Sequence, residues 1–156
     1  MQPKVYLETS VISYLTAWSS RDLIKAAHQE ITREWWQGRT RFELYVSQIV
    51  LREASGGDPE AARRRLESIT DIPVLTASPE AGALAQQLVA QGSLPAKAAV
   101  DALHIAIAVV NGVDYLLTWN CTHIANASIR RKIEAICRQS GYQPVVLCTP
   151  EELMEE

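Results

Sequence analysis

Three carboxylates and one amide in this chain have the chemistry and the spacing to form one polar site. Glu8 ends the first apolar run, and Glu53 follows the second. Asp101 lies inside the most apolar segment, and Asn120 ends the run DYLLTWN. Carboxylates brought together without cations repel each other, whereas Mg²⁺ and Mn²⁺ remove that cost because they prefer oxygen ligands. These residue types therefore predict a metal site that could activate water against a phosphodiester.

The segment around Asp101 raises the question of what compensates its charge. The sequence AVDALHIAIAVV is apolar in almost every direction of a helix, so we expect burial on most sides. A buried carboxylate is unfavourable unless a positive group lies beside it. Lys97, four residues earlier, and His104, three residues later, lie on the same helical face. Asp101 is therefore either a metal ligand or one half of a structural pair with Lys97.

Other polar residues near these positions also have explanations that involve no catalysis. Glu53 lies in the polar segment REASGG, where a carboxylate is commonly solvated. We expect His104 to be a hydrogen-bonded histidine of the core, because Mg²⁺ rarely binds nitrogen. His123 follows the run that ends at Asn120, and it either approaches the site or has a surface or capping role.

Strand and helix patterns alternate along the chain and must position these side chains. Apolar runs of high β-propensity predict strands at residues 4–8, 42–48, 72–77, 114–120 and 143–150. Helical periodicity, N-caps and glycines predict helices at residues 22–38, 49–57, 58–69, 78–92, 95–111 and 127–141. This order is typical of an α/β fold with a parallel sheet covered on both faces. Functional groups gather at the carboxyl ends of such strands, where Glu8 and Asn120 lie.

Length and composition predict one globular domain over residues 1–156. Apolar residues make up 47% and charged residues 21% of the chain, as in ordinary globular proteins. We expect a cytoplasmic protein without membrane contact, because no apolar run reaches roughly 18 residues and no signal peptide is recognisable. The three cysteines lack metal-binding spacing and predict reduced thiols. With a net charge of −3, nucleic-acid contact would require a local basic patch.

Four segments together resemble a known family. VYLETSVIS, LREAS, AVDALHIAIA and DYLLTWN are similar to a PIN domain and, more narrowly, to the VapC-type ribonuclease toxins of bacterial toxin–antitoxin pairs. The resemblance extends over essentially the whole chain. It implies a three-layer α/β/α fold with a parallel sheet of about five strands. It also implies metal-dependent RNA cleavage, inhibition by a cognate antitoxin, and a homodimer.

The resemblance assigns the site residues position by position. Glu8 takes the place of the first acid, which is usually aspartate in the family, and Glu53 and Asp101 take the second and third. Asn120 takes the fourth place, where the family usually has aspartate. The implied catalytic residues are thus Glu8, Glu53, Asp101 and Asn120, with Glu8 and Asp101 as ligands of one Mg²⁺ or Mn²⁺ ion. Asn120 carries no charge, so the resemblance does not decide whether a second ion binds.

The leading hypothesis is a Mg²⁺- or Mn²⁺-dependent endoribonuclease, a phosphodiester hydrolase in which Thr9 or Ser10 orients the first acid or contacts a phosphate. The second is a catalytically weakened PIN-fold module that binds RNA or protein. Phospho-receiver and phosphatase functions are disfavoured, because the predicted third strand ends without an aspartate and position 10 is not acidic. The basic clusters at 63–65 and 130–132 are either solvated helix faces or RNA contacts.

Three tryptophans mark a possible partner surface. Trp18, Trp35 and Trp36 are an unusual number for a small domain. Adjacent residues of a helix point about 100° apart, so we expect Trp35 or Trp36 to be exposed. An exposed tryptophan would indicate a groove for a partner.

Overall fold

The fold is built on a parallel sheet. The computed structural model describes residues 1–92 and 94–154. Its strands are β1 (Lys4–Leu7), β2 (Glu43–Ser47), β3 (Val74–Leu75), β4 (Tyr115–Leu117) and β5 (Val146–Cys148). They follow the order β3-β2-β1-β4-β5, and all four neighbouring pairs are parallel. The predicted α/β class with about five parallel strands is therefore confirmed.

Helices cover both faces of this sheet. In the described part of the chain they are α1 (Thr9–Thr16), α2 (Leu23–Gln37), α3 (Gln48–Ala54), α4 (Pro59–Ser68), α5 (Pro79–Ala90), α6 (Ala99–Val110) and α7 (Ala127–Gln139). The chain moves one way across the sheet from β1 to β3 and the other way from β3 to β5. Because such crossovers are right-handed, α1 to α4 lie on one face and α5 to α7 on the other. Accordingly, α1 packs against α2, α3 and α4, and α5 packs against α6 and α7.

Three helices begin where the sequence predicts a cap. The side chains of Asp22, Asp58 and Ser78 each accept a hydrogen bond from the backbone N–H three residues later, at 2.9 to 3.2 Å. Pro59 and Pro79 occupy the first helical positions, where a missing N–H has no cost. Each cap contributes about 1 kcal/mol. The starts of α2, α4 and α5 are therefore set by local sequence.

The central strand β1 is the most buried part of the sheet. Val5, Tyr6 and Leu7 are all 0% exposed. Tyr6 pairs with Tyr45 of β2 on one side and with Leu116 of β4 on the other. A strand covered on both faces favours a continuous apolar run, which is what the sequence has. The polar residues that follow β1 therefore lie at the carboxyl edge of the sheet.

The edge strand β3 is shorter than the predicted strand at 72–77. Only Val74–Leu75 pairs with β2 as a strand. The carbonyl of Pro73 accepts a hydrogen bond from Val46 N at 3.0 Å, but proline has no N–H to donate in return. The ladder therefore cannot extend toward residue 72.

Two helical segments differ from the prediction. The helix α1 (Thr9–Thr16) was not predicted, because its β-branched residues have low helix propensity. Its Val11 and Ile12 are 0% exposed, so packing stabilises this helix. The helix α6 begins at Ala99, later than predicted, because Ala96–Ala98 form a tighter 3₁₀ turn.

The cysteines are free thiols, as predicted. Burial raises the pKa of Cys137 to about 11 and that of Cys148 to about 12, so both are protonated at neutral pH. Among the described residues, no helix has the length and apolarity needed to cross a membrane.

Candidate active site

The candidate site lies at the carboxyl edge of the sheet, beside β1 and β4. These strands are neighbours at the point where the chain reverses its direction across the sheet. In parallel α/β sheets, such a switch point opens a crevice for ligands. Glu8 follows β1 directly, and Asn120 follows β4. Glu53 is on α3, and Asp101 is in the first turn of α6.

The carboxylate of Glu8 is nearly buried and firmly oriented. Its side-chain Oε1 accepts hydrogen bonds from Ser10 N at 3.2 Å and from the Thr118 hydroxyl at 2.6 Å. The Ser10 hydroxyl also donates to this oxygen and accepts a bond from Trp119 N at 2.8 Å. Glu8 is only 6% exposed, and no hydrogen bond from the described residues ends on Oε2. That oxygen is therefore available as a ligand.

Glu53 is held at the site by two donors. Its Oε1 lies 2.7 Å from His104 Nε2 and accepts a hydrogen bond from the Thr9 hydroxyl at 2.7 Å. The bond from His104 lowers the pKa of the Glu53 carboxyl, and the bond from Thr9 lowers it further. Partial burial raises the pKa but does not outweigh these bonds. Although its side chain is 39% exposed, Glu53 is thus an oriented, ionised carboxylate.

His104 connects this carboxylate to the interior of the protein. It is 0% exposed, and its Nδ1 lies 2.6 Å from the Tyr6 hydroxyl. The Tyr6 hydroxyl in turn lies 2.7 Å from the Ser47 hydroxyl, and burial raises the pKa of Tyr6. The expectation of a hydrogen-bonded core histidine is therefore confirmed.

Two of the predicted acids lie close enough to share a cation. Ligand atoms of Glu8, Glu53 and His104 all lie within 4.8 Å of one another. Oxygens on opposite sides of a Mg²⁺ ion are about 4 Å apart, so a small movement brings both carboxylates to one ion. His104 is a poorer ligand, because both ring nitrogens are in hydrogen bonds and Mg²⁺ prefers oxygen. The two carboxylates fit Mg²⁺ or Mn²⁺, which keeps several water ligands.

Asp101 lies outside that group and has a different partner from the one expected. Its Oδ2 lies 2.9 Å from Nδ1 of His123, and both side chains are 22% exposed. Lys97 is exposed and forms no ion pair with Asp101 within the described residues. The proposed Lys97–Asp101 pair is therefore wrong. The residues from Ala102 onward are mostly buried, whereas Asp101 lies in the first turn, where the helix dipole favours an anion.

Asn120 organises the loop that follows β4. Its Oδ1 accepts hydrogen bonds from Thr122 N at 3.3 Å and His123 N at 3.1 Å. Its own N–H donates to the Thr118 hydroxyl at 2.9 Å. Asn120 therefore connects Thr118, which holds Glu8, with His123, which contacts Asp101. This is a positioning role, and a direct role toward a metal ion remains a prediction.

Three further residues belong to the site although no motif pointed to them: Tyr6, Ser47 and Thr118. Each is a hydroxyl residue within or at the end of an otherwise apolar central strand. Buried hydroxyl groups need hydrogen-bond partners, so three of them in adjacent strands were a signal of a polar network. Sequence spacing could not show which partners they have.

A groove is formed by α1, the start of α2 and the segment between them. It has a volume of about 370 Å³ and is lined by Ser13, Tyr14, Ala17, Trp18, Ser20, Lys25 and Gln29. Trp18 is 78% exposed, and the adjacent Leu23 and Ile24 are 87% and 70% exposed. Arg64 from α4 lies 4.5 Å over the Trp18 ring. The surface around the groove is therefore apolar with a few cations.

The other two predicted tryptophans are not exposed. Trp35 is 1% exposed and stacks on Phe42, with ring centroids 5.6 Å apart. Trp36 is half-buried under Arg39, which lies 4.5 Å over its ring. The expectation that one of them is exposed is wrong, because the 3₁₀ turn after α2 packs over this end of the helix.

The two basic clusters differ in whether their side chains already have ion-pair or hydrogen-bond partners. Arg63 forms ion pairs with Glu60 and Glu67 on α4. The other two arginines of this cluster donate to backbone carbonyls. On α7, Arg131 and Lys132 are exposed and form no ion pair within the described residues. The α7 cluster is therefore the one with free cations.

Comparisons with known proteins agree with this architecture. No family model matches the chain, and no curated protein matches its sequence. The chain is similar to a chain in the crystal structure of VapBC2 from Rickettsia felis bound to a DNA fragment from their promoter. The similarity covers 93% of this chain and 98% of that chain, at 15% identity and a TM-score of 0.55. At this identity the similarity concerns the fold alone. The chain therefore shares its fold with a chain of VapBC2, and the PIN-like fold implied by the resemblance is confirmed.

Proposed function

We propose that the protein is a Mg²⁺- or Mn²⁺-dependent endoribonuclease similar to VapC toxins. The observation that carries this proposal is the pair of oriented carboxylates at the switch point of the sheet. Glu8 and Glu53 have oxygens within 4.8 Å, and Glu8 presents a free oxygen from a nearly buried position. Two such acids are unfavourable together unless a cation joins them. The shared fold with a chain of VapBC2 adds support.

In this proposal Glu8 and Glu53 would hold the ion through carboxylate oxygens. Asp101, the third predicted acid, lies outside that group and would act on the ion through a water ligand. When bound, such an ion supplies a water of lowered pKa and stabilises charge on a phosphate. Ser10 and Thr118 hold Glu8 in one orientation, and His123 does the same for Asp101. Oriented ligands with their own hydrogen-bond partners are typical of metal sites in enzymes.

The RNA substrate would contact the free cations of α7. This helix begins at Ala127, a few residues after the loop that contains Asn120 and His123. Arg131 and Lys132 in its first turns therefore lie toward the same edge of the sheet as the acids. Free arginine and lysine side chains bind phosphates without base preference.

A cognate antitoxin would occupy the groove between α1 and α2. The groove is lined mostly by uncharged residues, and Trp18 is highly exposed at its rim. Contiguous exposed apolar surface of this kind marks a protein interaction site. An apolar antitoxin segment with some acidic residues would complement Trp18, Lys25 and Arg64.

A second apolar groove supports the homodimer that the resemblance implies. It lies between α5 and the start of α6 and has a volume of about 380 Å³. Ala85, Val89, Ala90 and Ala99 are among its lining residues, and nearby Val100 is 50% exposed. We propose that a second copy of the chain covers this face, because small side chains allow two helices to approach closely.

The alternative function is a PIN-fold module that binds RNA or protein without cleaving. Asn120 favours this alternative, because a neutral amide replaces an acid and its oxygen already accepts backbone hydrogen bonds. The two hypotheses differ in their dependence on metal ions.

The decisive experiment is RNA cleavage by the purified chain with Mg²⁺ or Mn²⁺, and then with excess chelator. We expect cleavage only with the ion, and a loss of cleavage in chelator that added Mn²⁺ reverses. Glu8→Gln, which keeps the size of the side chain, should be inactive under all conditions. Unchanged cleavage in chelator would refute the proposal, and binding of RNA without any cleavage would favour the alternative.

A further inference from the structure

A chain of buried hydrogen bonds runs from the interior of the sheet to Glu53. The side chains of Ser47, Tyr6, His104 and Glu53 follow one another at distances of 2.7, 2.6 and 2.7 Å. Ser47, Tyr6 and His104 are all 0% exposed. They belong to β2, β1 and α6, so three separate elements bring them together. Only Glu53, at the outer end, reaches solvent.

The donors and acceptors of this series of hydrogen bonds can be assigned from its two ends. At the outer end, Glu53 is ionised and can only accept, so Nε2 of His104 carries a proton. At the inner end, Val50 N donates to the Ser47 hydroxyl at 3.3 Å, so that hydroxyl is free to donate to Tyr6. The Tyr6 hydroxyl then donates to Nδ1 of His104. In this assignment each hydroxyl donates once and accepts once.

His104 is 0% exposed, so both of its ring nitrogens need hydrogen-bond partners within the protein. With Nε2 donating to Glu53 and Nδ1 accepting from Tyr6, no side-chain polar atom of Tyr6 or His104 lacks a partner among the described residues. This arrangement leaves neither nitrogen of His104 free to bind a metal ion.

We propose that His104 is the positioning residue of Glu53: its imidazole accepts from Tyr6 at Nδ1, donates from Nε2 to the carboxylate and so orients it, and does not itself bind the metal ion. The inference rests on the proposed function only in assigning Glu53 to the metal site. Without His104, Thr9 would be the one donor left to Glu53 among the described residues. Glu53 lies near the end of the short helix α3, where little else would fix its side chain.

The tautomer can be measured directly in the metal-free parent protein. The chain has three histidines, so the imidazole nitrogens of ¹⁵N-labelled protein can be assigned by comparison with a His104 variant. We expect one protonated and one unprotonated nitrogen for His104, with the proton on Nε2, and the same pattern after Mg²⁺ is added. A proton on Nδ1, protons on both nitrogens, or loss of the Nε2 proton when Mg²⁺ binds would overturn the proposal.

Two substitutions separate orientation of Glu53 from general packing. His104→Gln keeps a donor near the position of Nε2, whereas His104→Asn keeps only a polar group near Nδ1. We expect Asn to weaken Mn²⁺ binding about 10- to 100-fold, as loss of such a partner usually does, and Gln to retain most of the affinity. Calorimetric titration measures this, and equal losses in both variants would contradict a positioning role.

Substitutions of two tyrosines test the inner end of the series of hydrogen bonds. Tyr6→Phe removes the hydroxyl that donates to Nδ1, so we expect His104 to show a mixture of tautomers. Tyr45→Phe on the neighbouring strand removes an exposed hydroxyl and should leave the His104 signals unchanged. A single unchanged tautomer in Tyr6→Phe would count against the proposal. Absence of RNA cleavage with the expected tautomer and Mn²⁺ affinity would refute the proposed function while supporting this inference.

Discussion

At Asp101, the carboxylate charge and the hydrogen bond to His123 can be separated by one substitution. Asp101→Asn removes the charge but keeps an oxygen for the 2.9 Å contact with Nδ1 of His123. We expect RNA cleavage to fall by at least about 100-fold, since even the partners of metal ligands are worth 10- to 100-fold. The melting temperature should change by no more than about 2–4 °C, because the hydrogen bond remains.

The matched control for this substitution is Asp114→Asn. Asp114 precedes β4 at the opposite edge of the sheet, and its Oδ2 accepts a hydrogen bond from Lys4 N at 2.8 Å. The control should retain full cleavage. If Asp101→Asn also retains it, Asp101 is a structural partner of His123 and not part of the metal site.

The lowered pKa of Glu53 predicts a specific pH dependence of stability. Because the His104 bond holds this pKa below its ordinary value of 4.5, folding favours the ionised form. That contribution is present above pH 4.5 and is lost as the pH falls through the folded pKa. Glu53→Gln should therefore lower the free energy of unfolding by roughly 1 kcal/mol at pH 7, a value reduced for partial exposure, and by less at lower pH.

Thermal unfolding of the parent and Glu53→Gln between pH 3 and pH 7 measures this difference. Glu60→Gln is the control, because Glu60 is an exposed carboxylate paired with Arg63. Its effect should disappear in about 1 M salt, whereas that of Glu53→Gln should persist. If the stability difference between parent and Glu53→Gln does not shrink at low pH, the contacts of Glu53 do not lower its pKa.

Asn120→Asp tests whether the fourth position faces the metal ion. The aspartate can still accept hydrogen bonds from Thr122 N and His123 N, so the loop should keep its conformation. Its added charge near Glu8 should lower stability without metal and increase the gain in melting temperature on adding Mg²⁺. The measurement is that gain in parent and variant. Equal gains would mean that Asn120 only organises the loop.

At the scale of elements, α7 is predicted to bind the RNA backbone. Arg131→Ala should reduce the dependence of log K on log salt by roughly 0.7, the contribution of one phosphate contact to single-stranded nucleic acid. Arg63→Ala is the matched control, because its guanidinium already pairs with Glu60 and Glu67. Binding of single-stranded RNA would be measured in chelator, so that cleavage does not interfere. Equal salt slopes for all three proteins would exclude α7 as the phosphate-binding element.

The helices show which elements the local sequence is able to predict. Residues 22–37, 58–68 and 78–90 carry N-caps and amphipathic periodicity, and their helices begin where predicted. The helix α1 is short and rich in β-branched residues, yet it forms because Val11 and Ile12 pack into the core. The free-energy cost of low helix propensity is small, and burial of these two large side chains contributes more than that cost.

For the whole molecule, the groove between α5 and α6 predicts a homodimer. The parent should have twice the mass of the 17.3 kDa chain in light scattering after gel filtration. Ala90→Arg, which places a large cation in the groove, should produce monomers without unfolding the protein. Ala83→Arg on the same helix, beside a different groove, should remain dimeric. A monomeric parent, or a dimeric Ala90→Arg, would place the interface elsewhere or exclude it.

The sequence by itself determined the α/β class, the five strands and the acids that follow them. Those properties come from local patterns: apolar runs, helix caps and the positions of carboxylates at strand ends. Because parallel strands present their carboxyl ends at one edge, the approximate place of Glu8 and Asn120 also followed from the sequence.

Only the tertiary structure decided which polar groups meet. It paired Asp101 with His123 instead of Lys97, and it connected Glu53 to Tyr6 through His104. These contacts join residues 22 to 98 positions apart, and they depend on strand order, helix starts and side-chain direction together. Because α6 begins at Ala99, Asp101 lies in its first turn and is only partly buried. Hydrogen bonds act over about 3 Å, so such partners are selected by packing and cannot be derived from spacing in the chain.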